Sequence, residues 1–149
     1  MDFFKNTKNI VFDITSNCKL QCAQCVRNQY GYRTIENLDL VDLSFEDFRM
    51  IVDRDIVDLD LHMINFQSGW GDPCANDDLI NMLGYLAEKR NDLVVKIGTS
   101  AYHQDKEFYK KLANELNKFY FHTVDVKFYG FTDNCFFRVG TDDRCYTHL

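Results

Sequence analysis

Asn9-Ile10-Val11-Phe12-Asp13-Ile14-Thr15-Ser16-Asn17-Cys18-Lys19-Leu20-Gln21-Cys22-Ala23-Gln24-Cys25 decides how this chain is read. Its first seven residues are mostly β-branched or aromatic, the composition of a strand. Three thiols then fall within eight residues, so one loop carries them away from the carboxyl end of that strand. In parallel α/β architectures such loops build the active-site face. Three thiolates can hold three irons of a cubane cluster and leave the fourth open to a small ligand, and an open position separates a catalytic metal site from a closed structural one. Two other readings stand beside this one. Structural zinc would need a fourth ligand drawn from Cys74, Cys135, Cys145, His62, His103, His122 or His148, all scattered singly, and the cysteines could be incidental.

Outward from that stretch, β-rich segments recur over residues 61–67, 93–99 and 122–128, joining the first strand over 9–15. Between them lie apolar stripes at helical spacing. Ser44 opens one with a capping-box-like Ser-Phe-Glu-Asp, followed by Phe45, Phe48, Ile51 and Val52. Leu79, Ile80, Met82, Leu83 and Leu86 mark a second helix over 76–90. Phe108, Leu112, Leu116 and Phe119 mark a third after Asp105. Strands alternating with helices predict an α/β fold with a parallel sheet, about four strand–helix units in all, as one domain over residues 1–149. Gly140-Thr141-Asp142-Asp143 reads as the start of a further helix with little chain beyond it, so the expected picture is an incomplete barrel. The edge of its fourth strand would invite self-association.

Composition narrows the function classes. The 149 residues are 46% hydrophobic, enough for a genuine core. Seventeen Lys and Arg stand against 23 Asp and Glu, a net charge of -6, and without a basic run this argues against a nucleic-acid partner. The amino-terminal residues lack a basic-then-apolar pattern and no apolar stretch reaches spanning length, which predicts a soluble, cytoplasmic protein without a membrane role. Six cysteines in that compartment argue for metal or redox chemistry over disulfides.

The three-then-two spacing of Cys18, Cys22 and Cys25, with Phe12-Asp13-Ile14-Thr15 and Asn17 ahead of it, resembles the signature of the radical S-adenosylmethionine (radical SAM) superfamily. Gln24 stands where the commonest form has an aromatic residue, as in some peptide-modifying branches. Ser68-Gly69-Trp70-Gly71-Asp72-Pro73 resembles the glycine-rich motif of that family, and its Gly-Asp-Pro ending is similar to the peptide-maturase branch. Gly98-Thr99-Ser100-Ala101 stands where the family commonly has Thr-Asn-Gly, and the segment from Phe128 to Thr141 is similar to one ending in a Tyr-Arg pair.

The resemblance implies a partial (β/α) barrel of the radical SAM type, with Cys18, Cys22 and Cys25 as ligands of a [4Fe-4S] cluster. It implies a SAM site formed by Gly69, Gly71, Asp72 and Pro73 at the methionine amino group, Thr99 and Ser100 near the ribose and carboxylate, and Arg138 at the carboxylate. The implied reaction is reductive cleavage of SAM to a 5'-deoxyadenosyl radical that abstracts hydrogen from a substrate, with a peptide favoured. An electron donor such as ferredoxin or flavodoxin is required. The alternatives are a non-catalytic iron-sulfur remnant or fragment and a small zinc-binding module. Trp70, Lys127 and the remaining cysteines are read as structural or unligated.

Overall fold

The computed structural model describes residues 6–20, 22, 25–29, 33–67 and 69–126. Six strands and three α-helices occur among them. The strands are β1 (Asn9–Val11), β2 (Asn28–Gln29), β3 (Arg33–Thr34), β4 (Met63–Phe66), β5 (Val94–Thr99) and β6 (Phe121–Val126). The helices are α1 (Phe45–Ile51), α2 (Leu79–Arg90) and α3 (Lys106–Leu116).

β1, β4, β5 and β6 form one parallel sheet in that order, while β2 and β3 make a small antiparallel hairpin. The result is an α/β, partial-barrel-like arrangement of four parallel strands alternating with helices. In-register partners share a face. Ile64 and Phe66 on β4 and Val95 and Ile97 on β5 are buried on the helix side, where Leu79, Met82, Leu83 and Leu86 of α2 meet them. α2 touches both α1 and α3, and Phe48, Leu112 and Leu116 extend the core from those helices. Each such buried side chain contributes on the order of 2 kcal/mol. The opposite face carries Val11, Asn65, Lys96 and Thr123 in one row. Val11 is exposed and the other three are half-buried, so this face is open and largely polar.

The helix starts follow their sequence signals. Ser44 caps α1 by accepting from the Asp47 amide, and Asp105 caps α3 by accepting from the Phe108 amide. α1 runs on into a π-helical turn, Val52–Ile56. The turn and the chain beyond it are held by Arg90, whose guanidinium donates to the carbonyls of Ile56, Val57, Leu59 and Leu61 at 2.8–3.2 Å.

Boundaries differ from the sequence expectation at several elements, and the strands expected over 61–67 and 93–99 are trimmed to Met63–Phe66 and Val94–Thr99. The first strand ends at Val11 instead of Thr15, because residues 14–16 leave the sheet and pair with residues 41–43. There the Leu43 amide donates to Ile14 and the Ser16 amide to Val41, both at 2.9 Å. The second helix begins at Leu79 instead of Asn76, preceded by a single 3-10 turn, Pro73–Ala75. The last strand starts one residue earlier, at Phe121; residues 127–128 lie outside the described residues. Among the described residues, no helix is long and apolar enough to cross a membrane.

Candidate metal and cofactor site

Three loops meet at the carboxyl edge of the sheet: the cysteine loop after β1, the glycine-rich loop after β4 and the turn after β5. The cysteine loop is shaped by its own backbone and by two buried side chains that follow it directly. Arg27, 2% exposed, donates from Nη1 to the Cys18 carbonyl at 2.7 Å. Asn28 donates from Nδ2 to the Cys22 carbonyl at 2.9 Å, and its amide donates to Cys25 at 2.9 Å. The β2–β3 hairpin then closes the loop.

Cys18, Cys22 and Cys25 are free and half-buried. Burial pushes the Cys18 thiol above its usual value. Burial, reinforced by the neighbouring Cys18 and Cys25, pushes Cys22 up to about 11. Thiols that discourage one another's ionisation are relieved by a cation that takes their protons' place. Among the described residues, no three His, Cys, Asp or Glu side chains converge as ligands of one metal ion. A cubane takes each thiolate on a different iron, so its ligands stand further apart than those of one tetrahedral ion. Of five buried side-chain atoms without a hydrogen-bond partner among the described residues, three surround this loop: Arg27 Nε, Asn28 Oδ1 and His103 Nδ1. The soft donor set, the buried guanidinium and these uncommitted polar atoms fit an iron-sulfur group.

The glycine-rich loop is laced to the cysteine loop. A Cβ on Gly71 would lie 2.3 Å from the Thr15 carbonyl oxygen and 2.7 Å from that of Asn17, so only glycine lets the two backbones approach. The Asp72 amide donates to the Asn17 carbonyl at 2.9 Å, and the Gly69 amide to Asp13 Oδ2 at 3.2 Å. Asp72 is 5% exposed; its amide reaches the cysteine loop and its carboxylate the turn after β5. Oδ1 accepts from the Cys74 amide at 3.0 Å and from Thr99 Oγ1 at 2.8 Å. Oδ2 accepts from the Ser100 amide and Oγ, both at 2.7 Å. Pro73 starts the 3-10 turn that Asp72 caps. Asn76, 2% exposed, donates to the carbonyls of Ile14 at 2.8 Å and Leu43 at 2.9 Å.

Gly69, Gly71, Asp72, Pro73, Thr99 and Ser100 therefore gather beside Cys18, on the same edge as Cys22 and Cys25. Arg138, Cys135 and Cys145 lie outside the described residues. The side chains of Thr99 and Ser100 donate to Asp72; Thr99 Oγ1 also accepts from the Ala101 amide at 3.0 Å, whereas the Ser100 hydroxyl oxygen keeps acceptor capacity for a ligand. Arg27 and Asn76 escaped the sequence reading as site residues, and His103 entered it only as one of several scattered candidates for a fourth zinc ligand. Arg27 had one usable signal, its place two residues after Cys25, and His103 had another, its place in the loop leaving β5. His103 Nε2 lies 3.4 Å from Cys18 Sγ, and a cleft of ≈ 360 Å³ opens there among Asn17, Cys18, Lys19, Ala75, Asp77, His103 and Gln104. Trp70, 45% exposed, lines a separate hollow of ≈ 350 Å³ with Asp13, Thr15, Val41 and Asp42.

The sequence matches no family model and no protein of curated function. Its fold is similar to that in the crystal structure of BtrN in complex with AdoMet and 2-DOIA, with a TM-score of 0.53 and 17% sequence identity. The match covers 74% of this chain and 43% of that chain, so this chain spans less than half of BtrN. At that identity the likeness is one of fold.

Proposed function

We propose that this chain is a radical SAM core of one domain, in which Cys18, Cys22 and Cys25 hold a [4Fe-4S] cluster and the adjoining loops hold S-adenosylmethionine. One observation carries the reading. The cysteine loop, the Gly71–Asp72 turn and the Thr99–Ser100 turn are hydrogen-bonded together at the carboxyl edge of a parallel sheet. The similarity of fold to a protein crystallised with AdoMet supports it.

Backbone carbonyls of the Gly69–Pro73 loop receive the ligand's ammonium group, and Gly71 lets that loop sit against the cysteine loop. Asp72 is the strut between the loops, its oxygens already taken by Cys74, Thr99 and Ser100. Ser100 offers acceptor lone pairs to the ribose or carboxylate side, with Thr99 holding the same turn through Asp72 and the Ala101 amide, and Arg138 supplies a guanidinium to the carboxylate. The buried Arg27 places positive charge beside thiolates that must form. A reduced cluster, when bound, supplies the electron that splits SAM into methionine and a 5'-deoxyadenosyl radical for hydrogen abstraction. The open polar face of the sheet is the surface over which a substrate, with a peptide favoured by the motif resemblance, is oriented and shielded from water. A cytoplasmic ferredoxin or flavodoxin is the proposed donor, and the edge of β6 a proposed self-association surface.

The test is anaerobic reconstitution with iron and sulfide, followed by reduction with SAM present and measurement of methionine and 5'-deoxyadenosine. Formation of 5'-deoxyadenosine, abolished by Cys22→Ala, is the expected result. A loaded cluster without cleavage would mean a non-catalytic iron-sulfur chain, and uptake of zinc in place of a cluster would sink the reading.

A further inference from the structure

His103 lies in the loop after β5 and is 6% exposed, with its side chain almost wholly enclosed. Its Nε2 faces two groups at once, Cys18 Sγ at 3.4 Å and Asp72 Oδ2 at 3.7 Å. Its Nδ1 is buried and has no partner among the described residues. A carboxylate oxygen and an ionised thiolate are both acceptors, so the nitrogen between them must carry hydrogen. Nδ1, which faces no acceptor among the described residues, is then the bare nitrogen of a neutral ring, and a single tautomer satisfies the geometry. The ring is held in place from its backbone, where Lys19 Nζ donates to the His103 carbonyl at 3.1 Å. Cys18 is held in the same way through its own carbonyl by Arg27.

We propose that His103 is a positioning residue that donates its Nε2 hydrogen to the Cys18 thiolate of the bound cluster and so raises the cluster's reduction potential. This rests on the cluster reading above. A hydrogen bond to a ligating sulfur draws electron density from it and favours the more negative, reduced state. Asp72 makes the arrangement more than local. It braces the glycine-rich loop and the β5 turn and flanks the same Nε2, so His103 links the cofactor-binding loops to one cluster ligand.

The experiment uses the reconstituted chain with ¹⁵N-labelled histidine, reduced by dithionite and examined by pulsed EPR. A ¹⁵N coupling to the cluster is expected in the wild type and absent in His103→Gln, which isolates His103 from the other histidines. In EPR-monitored redox titrations the midpoint is expected to move negative in His103→Leu. His103→Gln keeps an N–H donor, and its midpoint should lie between those of His103→Leu and the wild type. A loaded wild type with no ¹⁵N coupling overturns the inference and leaves the cluster reading intact. If His103→Leu does not load, the wild-type coupling still decides. A wild type that takes up no cluster overturns both.

Discussion

Gly71 and Ala101 are opposite cases of a backbone constraint. Gly71 has no room for a Cβ because the carbonyls of Thr15 and Asn17 fill the space, and these belong to backbone that leads into Cys18. Gly71→Ala should therefore destabilise the fold by about 3 kcal/mol, near the upper end for overpacking, since backbone yields less than a side chain tip. Ala101 sits at φ 56°, in the left-handed region that a Cβ disfavours. Ala101→Gly should stabilise by about 1 kcal/mol, and the pair of variants is read from urea midpoints. Equal and small effects would mean the β4 and β5 loops are not held as described. The glycine at 71 was legible in the sequence as part of a motif, whereas the strain at 101 was not, because alanine carries no local mark of a positive φ.

Among the elements, the 3-10 turn Pro73–Ala75 and the start of α2 show how a side chain can replace a helical turn. Sequence periodicity places the second helix from Asn76. In the structure the Asn76 side chain instead donates to Ile14 and Leu43, and its Oδ1 accepts from the Asp78 amide at 2.9 Å. One amide thus fastens the turn after the glycine-rich loop to the exit of β1 and the entry of α1. Asn76→Ala takes its donor from the Leu43 carbonyl and leaves the Ile14 carbonyl with the Leu43 amide alone, and should cost about 1–3 kcal/mol. Thermal melts together with hydrogen exchange at residues 14 and 43 would check this, and unchanged protection there would contradict it. The same competition shortens β1, since residues 14–16 take partners at 41–43 that no strand propensity announces. Helix caps were easier to foresee, because Ser44 and Asp105 bond to amides three residues ahead and the signal is wholly local.

For the molecule as a whole, stability should fall with rising pH through a thiol in the core. Cys74 is fully buried, and burial pushes it from 9.0 up to about 12. The unfolded chain loses that proton near pH 9 while the folded chain keeps it to about 12, so within that window the folded state binds the extra proton. The contribution is complete below the unfolded value and is lost as pH rises through the folded one. At about pH 10.5 the loss amounts to roughly 2 kcal/mol. Urea midpoints followed from about pH 8 to about pH 10.5 should decline less in Cys74→Ala than in the wild type, and parallel declines would show that this thiol does not titrate with folding. The sequence by itself determined the alternation of strands and helices, the carboxyl-edge location of the three thiols and the glycine-rich turn one strand later. These are patterns of composition and short spacing, which local physics writes into neighbouring residues. Tertiary structure alone decided that Asp72 is a strut between loops and that His103 meets Cys18, 85 positions away in sequence. Contacts across such a separation depend on register and loop packing, and no local pattern encodes them.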